Sequence, residues 1–127
     1  MINEIQELNS LNMIIEENYV TGHPFDVFPT LNQKIGQYKR NYKFVKIGIT
    51  GQTPEERFEQ HLKDYKWTKM ILIYKSSSIN YCNQIEEWLV DYHYDDLVNQ
   101  RKGGGSQLRL DGPNYVYVLV MGKIEIK

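Results

Sequence analysis

The chain has 127 residues, of which 41% are hydrophobic and 24% are charged, and its formal net charge is −1. This composition is typical of one folded domain, and the near-neutral charge argues against a strong non-specific nucleic-acid binder. The single cysteine, Cys82, excludes an internal disulfide and a cysteine-based zinc site. No apolar run approaches the ~18 residues that span a bilayer. We therefore expect no membrane partner and a reducing compartment: the cytoplasm or, in a eukaryote or its virus, the nucleus.

The beginning of the chain is predicted to form a helical extension, residues 1–24, ahead of a main domain, residues 25–127. Apolar residues recur there at helical spacing, namely Ile5, Leu8, Leu11 and Ile15. We expect one amphipathic helix over residues 2–18, ended by Gly22 and Pro24.

The next segment, residues 25–42, allows two interpretations. Thr30 could cap a helix, or residues 38–42 could form half of a hairpin that leads into the following strand. That strand, residues 44–49, is rich in apolar residues and is predicted to be buried.

A helix start follows the strand. Thr53 has the N-cap residue type, Pro54 suits the first helical position, and Glu56 stands at the third position. We expect this helix to run to about Leu62.

The remaining elements complete a small α+β fold. We expect strands over residues 70–74 and 115–120, a helix over residues 80–97, and a turn at Met121-Gly122 into a final strand over residues 123–126. The sum is a small, mainly antiparallel sheet flanked by helices.

Charge is distributed unevenly along the chain. Residues 1–33 contain five acidic and no basic residues, whereas residues 34–127 contain 15 basic and 11 acidic residues. Basic residues cluster just before and within the first predicted strand: Lys34, Lys39, Arg40, Lys43 and Lys46. Such a cluster suits a polyanion such as nucleic acid, with a solvated basic surface as the alternative.

Arg57 and His61 lie four residues apart, so a helix places them on one face. Arg57 falls in the first helical turn, where anions are favoured, and its guanidinium can hold two phosphate oxygens. The alternatives are an ion pair with Glu86 or Glu87, or a solvated helix face.

Glu86 and Glu87 are adjacent, so one of them points inward or sideways if the helix packs on the sheet. An inward carboxylate can bind a divalent metal whose other ligands are water and a substrate phosphate. A surface glutamate is the alternative. Asn99 could simply end the same helix.

Several of these residues together resemble the GIY-YIG nuclease superfamily. Lys46-Ile47-Gly48-Ile49-Thr50, Pro54-Glu55-Glu56-Arg57 and His61 are similar to its phage- and virus-rich branch, in which KIG replaces YIG. Glu86-Glu87-Trp88-Leu89-Val90 resembles the glutamate helix of the family, and the aliphatic spacing selects Glu86 over Glu87. Asn99 and the glycine-rich residues 103–107 extend the similarity, which covers residues 44–107.

The resemblance implies a three-stranded antiparallel sheet flanked by helices, and cleavage of nucleic acid, DNA rather than RNA. It implies that Arg57 clamps the phosphate and that Glu86 holds one Mg²⁺ or Mn²⁺ ion. His61 and Asn99 would support the site, and Lys46 would take the place of the second family tyrosine. Lys43 and Asn99 are further candidates for contacts with nucleic acid.

The first strand of the family, with its Gly-Ile-Tyr, has no counterpart before residue 44. Gly36-Gln37-Tyr38 is the nearest upstream match, whereas Tyr115-Val116-Tyr117-Val118-Leu119 resembles that strand best. We therefore expect a rearranged or permuted sheet in which residues 115–119 lie beside residues 44–49. Tyr117, or else Tyr38, would then supply the tyrosine that helps to activate the attacking water.

The sequence thus predicts a metal-dependent endonuclease from a virus or mobile element. The alternative is a catalytically inactive GIY-YIG-like protein that binds nucleic acid, a host defence protein or a small nucleotide.

Overall fold

The structure is a computed structural model that describes residues 13–99 and 107–124. Its strands are β1 (Ile15–Val20), β2 (Tyr42–Thr50), β3 (Lys69–Ser76) and β4 (Asn114–Lys123). Its helices are α1 (Pro24–Asn41), α2 (Pro54–Leu62) and α3 (Ile79–His93), and a 3₁₀ turn follows at Tyr94–Asp96. The predicted α+β fold class is confirmed.

The four strands form one mixed sheet in the order β1-β3-β4-β2. The β1–β3 pair is parallel, and the β3–β4 and β4–β2 pairs are antiparallel. The last strand of the chain therefore lies in the interior of the sheet, beside β2. The register places Gly48 opposite Tyr117, so the predicted pairing of residues 115–119 with residues 44–49 is confirmed.

Alternation along β2 divides its side chains between two cores, because successive side chains of a strand point to opposite faces. Val45, Ile47 and Ile49 belong to the larger core, which α1 and α3 cover. On the other face, Tyr117 joins a smaller core with Phe58 of α2. Lys46 and Gly48 of β2 lie on this second face, which carries the candidate site described below.

The helix that begins after β2 starts as predicted. The Thr53 hydroxyl accepts a hydrogen bond from the Glu56 backbone nitrogen (3.3 Å) and donates one to the Glu56 carboxylate (2.9 Å). Pro54 occupies the first turn, where its missing N–H is harmless. These local bonds fix the direction in which α2 leaves β2.

The start of the described chain differs from the prediction. The predicted helix over residues 2–18 lies partly outside the described residues, and within them residues 15–20 form strand β1, which pairs with β3. Pro24 begins α1 instead of ending a helix, and the His23 side chain caps it. Both the hairpin alternative and the Thr30 cap are therefore wrong. The strand forms because β3 offers it a pairing edge, which no local sequence pattern reveals.

The second half of the chain also differs in detail. Helix α3 ends at His93 rather than near residue 97, and β4 continues through Met121 and Gly122, so the predicted turn there is wrong. The glycine-rich residues 103–106 and the end of the predicted final strand lie outside the described residues. Within the described part, no helix is long and apolar enough to cross a membrane.

Candidate active site

A cavity of about 520 Å³ opens at the outer edge of β2. Its lining includes Lys46 and Gly48 from one face of the strand and Ile47 from the other. Arg57 reaches it from α2 and Glu86 from α3. The cavity therefore collects residues from helices on opposite faces of the sheet.

Tyr117 crosses β2 directly over Gly48. A β-carbon built on Gly48 would lie 2.5 Å from Cζ of Tyr117 and would also collide with its hydroxyl. Only glycine leaves room for the ring. The glycine of the Lys46-Ile47-Gly48 motif thus lets a tyrosine of the neighbouring strand extend its hydroxyl into the cavity.

That hydroxyl joins Arg57 to His61. Arg57 Nε donates to Tyr117 Oη at 3.1 Å, and Tyr117 Oη lies 2.6 Å from His61 Nε2. A guanidinium can only donate, so the Tyr117 oxygen accepts from Arg57. The direction of the bond between Tyr117 and His61 is set by the imidazole tautomer: with the ring proton on Nδ1, Tyr117 donates to Nε2. The result is a hydrogen-bonded chain that joins Arg57, Tyr117 and His61.

Burial and two cations keep His61 neutral. Burial lowers the pKa of His61 to about 4, with further lowering by Arg57 and Lys46. Burial raises the pKa of Tyr117, although Arg57 opposes that shift. At neutral pH the pair is therefore a neutral phenol hydrogen-bonded to a neutral imidazole.

Lys46 and Arg57 make the cavity attractive to an anion. Burial, and then the charge of Arg57, lowers the pKa of Lys46. Neither cation has an ion-pair partner within the described residues, so the predicted alternative of a pair with Glu86 or Glu87 is not observed there. Arg57 also donates from Nη1 to Gln60 (2.9 Å), so two of its five N–H groups are used and three remain for a ligand.

Glu86 is the inward member of the glutamate pair. It is 4% exposed, whereas Glu87 is exposed. Burial raises the pKa of Glu86 to about 7. Glu86 and Tyr117 line the same cavity. No described residue forms a hydrogen bond or ion pair with the Glu86 carboxylate. A buried acceptor of this kind requires a cation, a proton or water.

The oxygen and nitrogen ligands in the cavity suit some divalent metals and not others. No described group of three or more His, Cys, Asp or Glu side chains could hold a metal ion, so the cavity does not resemble a tetrahedral zinc site. Mg²⁺ commonly takes one or two carboxylates and fills its other positions with water and substrate phosphate. Glu86 fits that requirement as the single protein ligand.

The Asn99 side chain forms hydrogen bonds with the backbone at the outer edge of β2. Its Oδ1 accepts from the Ile47 nitrogen (3.0 Å), and its Nδ2 donates to the Ile47 oxygen (2.7 Å). The Val98 nitrogen also donates to the Val45 oxygen (3.0 Å). Asn99 therefore covers an exposed strand edge and forms a wall of the cavity, which corrects the alternative that it merely ends a helix. A contact with a phosphate oxygen could use the second hydrogen of Nδ2.

Two of the predicted site residues lie elsewhere. Tyr38 packs with the larger core, and its electrostatic neighbours are Glu16, Lys69, Asn18 and Tyr42. Lys43 points to the opposite face from Lys46 and lines a separate depression beside Lys39. The alternation of β2 separates Lys43 from the site, and helix α1 carries Tyr38 away from it.

Gln60, one turn along α2, accepts a hydrogen bond from Arg57 and so orients its guanidinium. Two residues that line the cavity had no part in the prediction. Tyr65 and Trp67, in the connection between α2 and β3, form one wall of the cavity. Two aromatic residues in so short a connection are a feature of the sequence that could have indicated an aromatic wall.

No protein-family profile, curated protein sequence or solved structure matches this chain. The resemblance to GIY-YIG nucleases therefore stays a prediction from motif residues. The geometry of the cavity is an independent observation, and it brings together Arg57, His61, Tyr117, Lys46 and Glu86.

Proposed function

We propose that this protein is a metal-dependent endonuclease of the GIY-YIG type, acting on nucleic acid, DNA rather than RNA. The observation that carries the proposal is the hydrogen-bond chain from Arg57 through Tyr117 to His61, in a cavity that also contains Glu86. Cations, a proton acceptor and an unpaired carboxylate are the groups that phosphodiester cleavage requires.

Arg57 and Lys46 would hold the scissile phosphate. Arg57 offers N–H groups in a planar fork, and Lys46 adds a point charge. Both residues line the cavity together with Tyr117, so a phosphate held by them would lie near the Tyr117 hydroxyl. Charge that develops on the phosphate oxygens during attack would be stabilised by these two cations.

Tyr117 and His61 would handle the proton of the attacking water. As water attacks phosphorus, Tyr117 takes its proton and passes the phenol proton to His61 Nε2, and the bond to the leaving oxygen breaks. Solvent returns a proton to that oxygen. Burial, and then the charges of Arg57 and Lys46, lowers the pKa of His61 in the free protein. A bound phosphate would offset these two charges, so binding would make His61 a stronger base.

Glu86 would hold the Mg²⁺ or Mn²⁺ ion. When bound, such an ion supplies positive charge to phosphate oxygens and orients the reacting groups. The carboxylate would contribute a hard oxygen ligand from a largely buried residue that lines the same cavity as Arg57 and Tyr117.

The proposed setting is the cytoplasm, or the nucleus of a eukaryotic host, and the proposed source is a virus or mobile element. The KIG variant of the motif supports this source, since the resemblance is to the phage- and virus-rich branch.

A catalytically inactive binding protein is the second candidate. It is favoured by Lys46 at the position of a family tyrosine, and by Glu86 being the one carboxylate among the described residues that line the cavity. Such a protein would bind nucleic acid, a nucleotide or a host protein through the same cavity without cleaving a bond.

Nicking of supercoiled plasmid separates the two candidates. With Mg²⁺ or Mn²⁺ we expect nicking that EDTA abolishes and that Glu86→Gln lowers by about 10²-fold or more. Glu87→Gln is the matched control, because Glu87 is exposed, and it should nick at the wild-type rate. Absence of nicking with retained binding would favour the second candidate.

A further inference from the structure

The cavity extends well beyond the phosphate-binding groups. Every second residue of β2 lies on the same face of the sheet, and on this face they are Gly48, Lys46 and Phe44. At about 3.3 Å per residue, Gly48 and Phe44 are roughly 13 Å apart along the strand. Tyr117 lies opposite Gly48, and Met121 lies opposite Phe44. The lining therefore changes along the strand, from polar near Gly48 to apolar near Phe44.

Aromatic side chains surround the apolar end. Phe44 is 42% exposed and Tyr65 is 60% exposed, although both line the cavity. Trp67 is almost fully buried and stands edge-on to Tyr65, with ring centroids 6.2 Å apart. Exposed aromatic rings gathered in a concave site commonly mark a ligand site.

The aromatic wall is anchored to the rest of the site. The Tyr65 nitrogen donates to the His61 oxygen at 3.2 Å, and the Thr68 nitrogen donates to the Val120 oxygen at 2.8 Å. The connection that carries Tyr65 and Trp67 is therefore tied at one end to α2 and at the other to β4. A ligand held by the wall would have a fixed position relative to Tyr117.

We propose that the aromatic end, formed by Phe44, Tyr65, Trp67 and Met121, is a subsite for one unpaired nucleobase of a DNA strand. This inference rests on the proposed function for its phosphate site and specifies the substrate. The base stacks on the aromatic wall while Lys46 and Arg57 hold the adjoining phosphate.

A nucleotide matches the order of groups along β2. It joins a flat apolar ring to an anionic phosphate, and the cavity joins an aromatic end to a cationic one. The volume of about 520 Å³ falls within the range of about 300–1,000 Å³ that is usual for ligand pockets. A base inside a duplex is covered on both faces by its neighbours, so it must be unpaired or displaced to stack on protein side chains.

Binding without metal tests this inference separately from cleavage. Fluorescence anisotropy in EDTA would compare three fluorescein-labelled DNAs: a 12-nucleotide single strand, its full duplex, and a duplex with one bulged thymine. We expect the single strand and the bulged duplex to bind at least about 10-fold more tightly than the full duplex. An abasic residue in place of the bulged thymine should remove that advantage.

Variants of the exposed wall residues identify the subsite. Phe44→Ala and Tyr65→Ala should each weaken single-strand binding by roughly 5- to 100-fold, the range for loss of one base–aromatic stack. Tyr92→Ala is the matched control, because Tyr92 is 68% exposed on α3 and does not line the cavity. Thermal unfolding of all three variants would verify that they remain folded.

The inference is overturned if the full duplex binds as tightly as both other DNAs, or if Phe44→Ala and Tyr65→Ala bind the single strand like wild type. The first result would mean that the cavity does not select an unpaired base. Base-dependent binding without nicking would support this subsite and contradict the nuclease proposal. Nicking without base-dependent binding would support the nuclease proposal and contradict this subsite.

Discussion

His61 is a buried base held between two cations. Burial, and then the charges of Arg57 and Lys46, depresses its pKa, so it stays neutral where an ordinary histidine begins to take a proton. A neutral imidazole can accept the Tyr117 hydrogen bond, and an imidazolium cannot. The charge state of this one ring therefore decides whether Tyr117 can pass its proton to His61.

The pKa of His61 is directly measurable. In an NMR titration of the folded protein, its ring protons should change near pH 4. Arg57→Ala should move that midpoint upward, because the substitution removes a nearby positive charge. Comparison with His61→Asn assigns the signal. A midpoint near 6.5 in the wild-type protein would contradict the proposed neutral, buried ring.

Glu86 places an unpaired carboxylate in the cavity at a cost in stability. Its folded-state pKa of about 7 lies above the ordinary value of 4.5. The folded protein therefore retains a proton that the unfolded chain releases between these values, and the stability linked to that proton is lost as the pH rises through 7. At pH 8 the charge is buried without a partner among the described residues.

Metal-free Glu86→Gln should consequently be more stable than metal-free wild type at pH 8, by about 1–3 kcal/mol. The difference should shrink at pH 5, where the wild-type carboxyl is protonated. Urea unfolding at the two pH values measures it, with Glu87→Gln as the exposed control. Equal stabilities at pH 8 would show that the carboxylate is not buried unpaired.

Among the elements, the site depends on the pairing of β4 with β2, which brings the Tyr117 ring against the backbone of Gly48. The Tyr117 ring occupies the space in which a side chain at position 48 would lie. The ring position, and with it the hydrogen bonds from Tyr117 to α2, therefore requires glycine at position 48.

Gly48→Ala should displace Tyr117, lower the free energy of unfolding by about 1–3 kcal/mol as overpacking does, and strongly reduce nicking. Gly36→Ala is the matched control. A β-carbon there meets only Arg40 at an ordinary 3.6 Å, and alanine favours a helix interior by about 0.5–1 kcal/mol over glycine. Chemical denaturation of both variants checks the contrast. Equal effects of the two substitutions would contradict the proposed contact.

The elements also differ in how well the sequence predicts them. The segment from β2 through α2 carries its own signals, since the Thr53 cap and Pro54 define the helix start locally. Strand β1 was missed because its partner β3 lies about fifty residues away. The sequence favoured Tyr117 over Tyr38 for the site through the resemblance of residues 115–119 to the family strand, and the pairing of β4 with β2 places Tyr117 there.

Across the whole molecule, residues far apart in the chain meet at one sheet edge. Arg57 and Tyr117 are 60 positions apart, and Asn99 bonds to a residue 52 positions before it. Motif spacing could therefore indicate which residue types belong to the site. The position of Tyr65 and Trp67 beside the site depends on backbone hydrogen bonds that tie the α2–β3 connection to α2 and β4. The order of residues in the sequence does not reveal these bonds.

We propose that strand β4 completes a catalytic site, and the nicking rate of Tyr117→Phe is the decisive measurement. The substitution removes only the oxygen that joins Arg57 to His61. We predict a rate about 10²-fold or more below wild type, in a protein that remains folded. Tyr115→Phe, two residues along the same strand and outside the cavity lining, should nick normally. Nicking by Tyr117→Phe at the wild-type rate would show that cleavage does not use the Tyr117 hydroxyl.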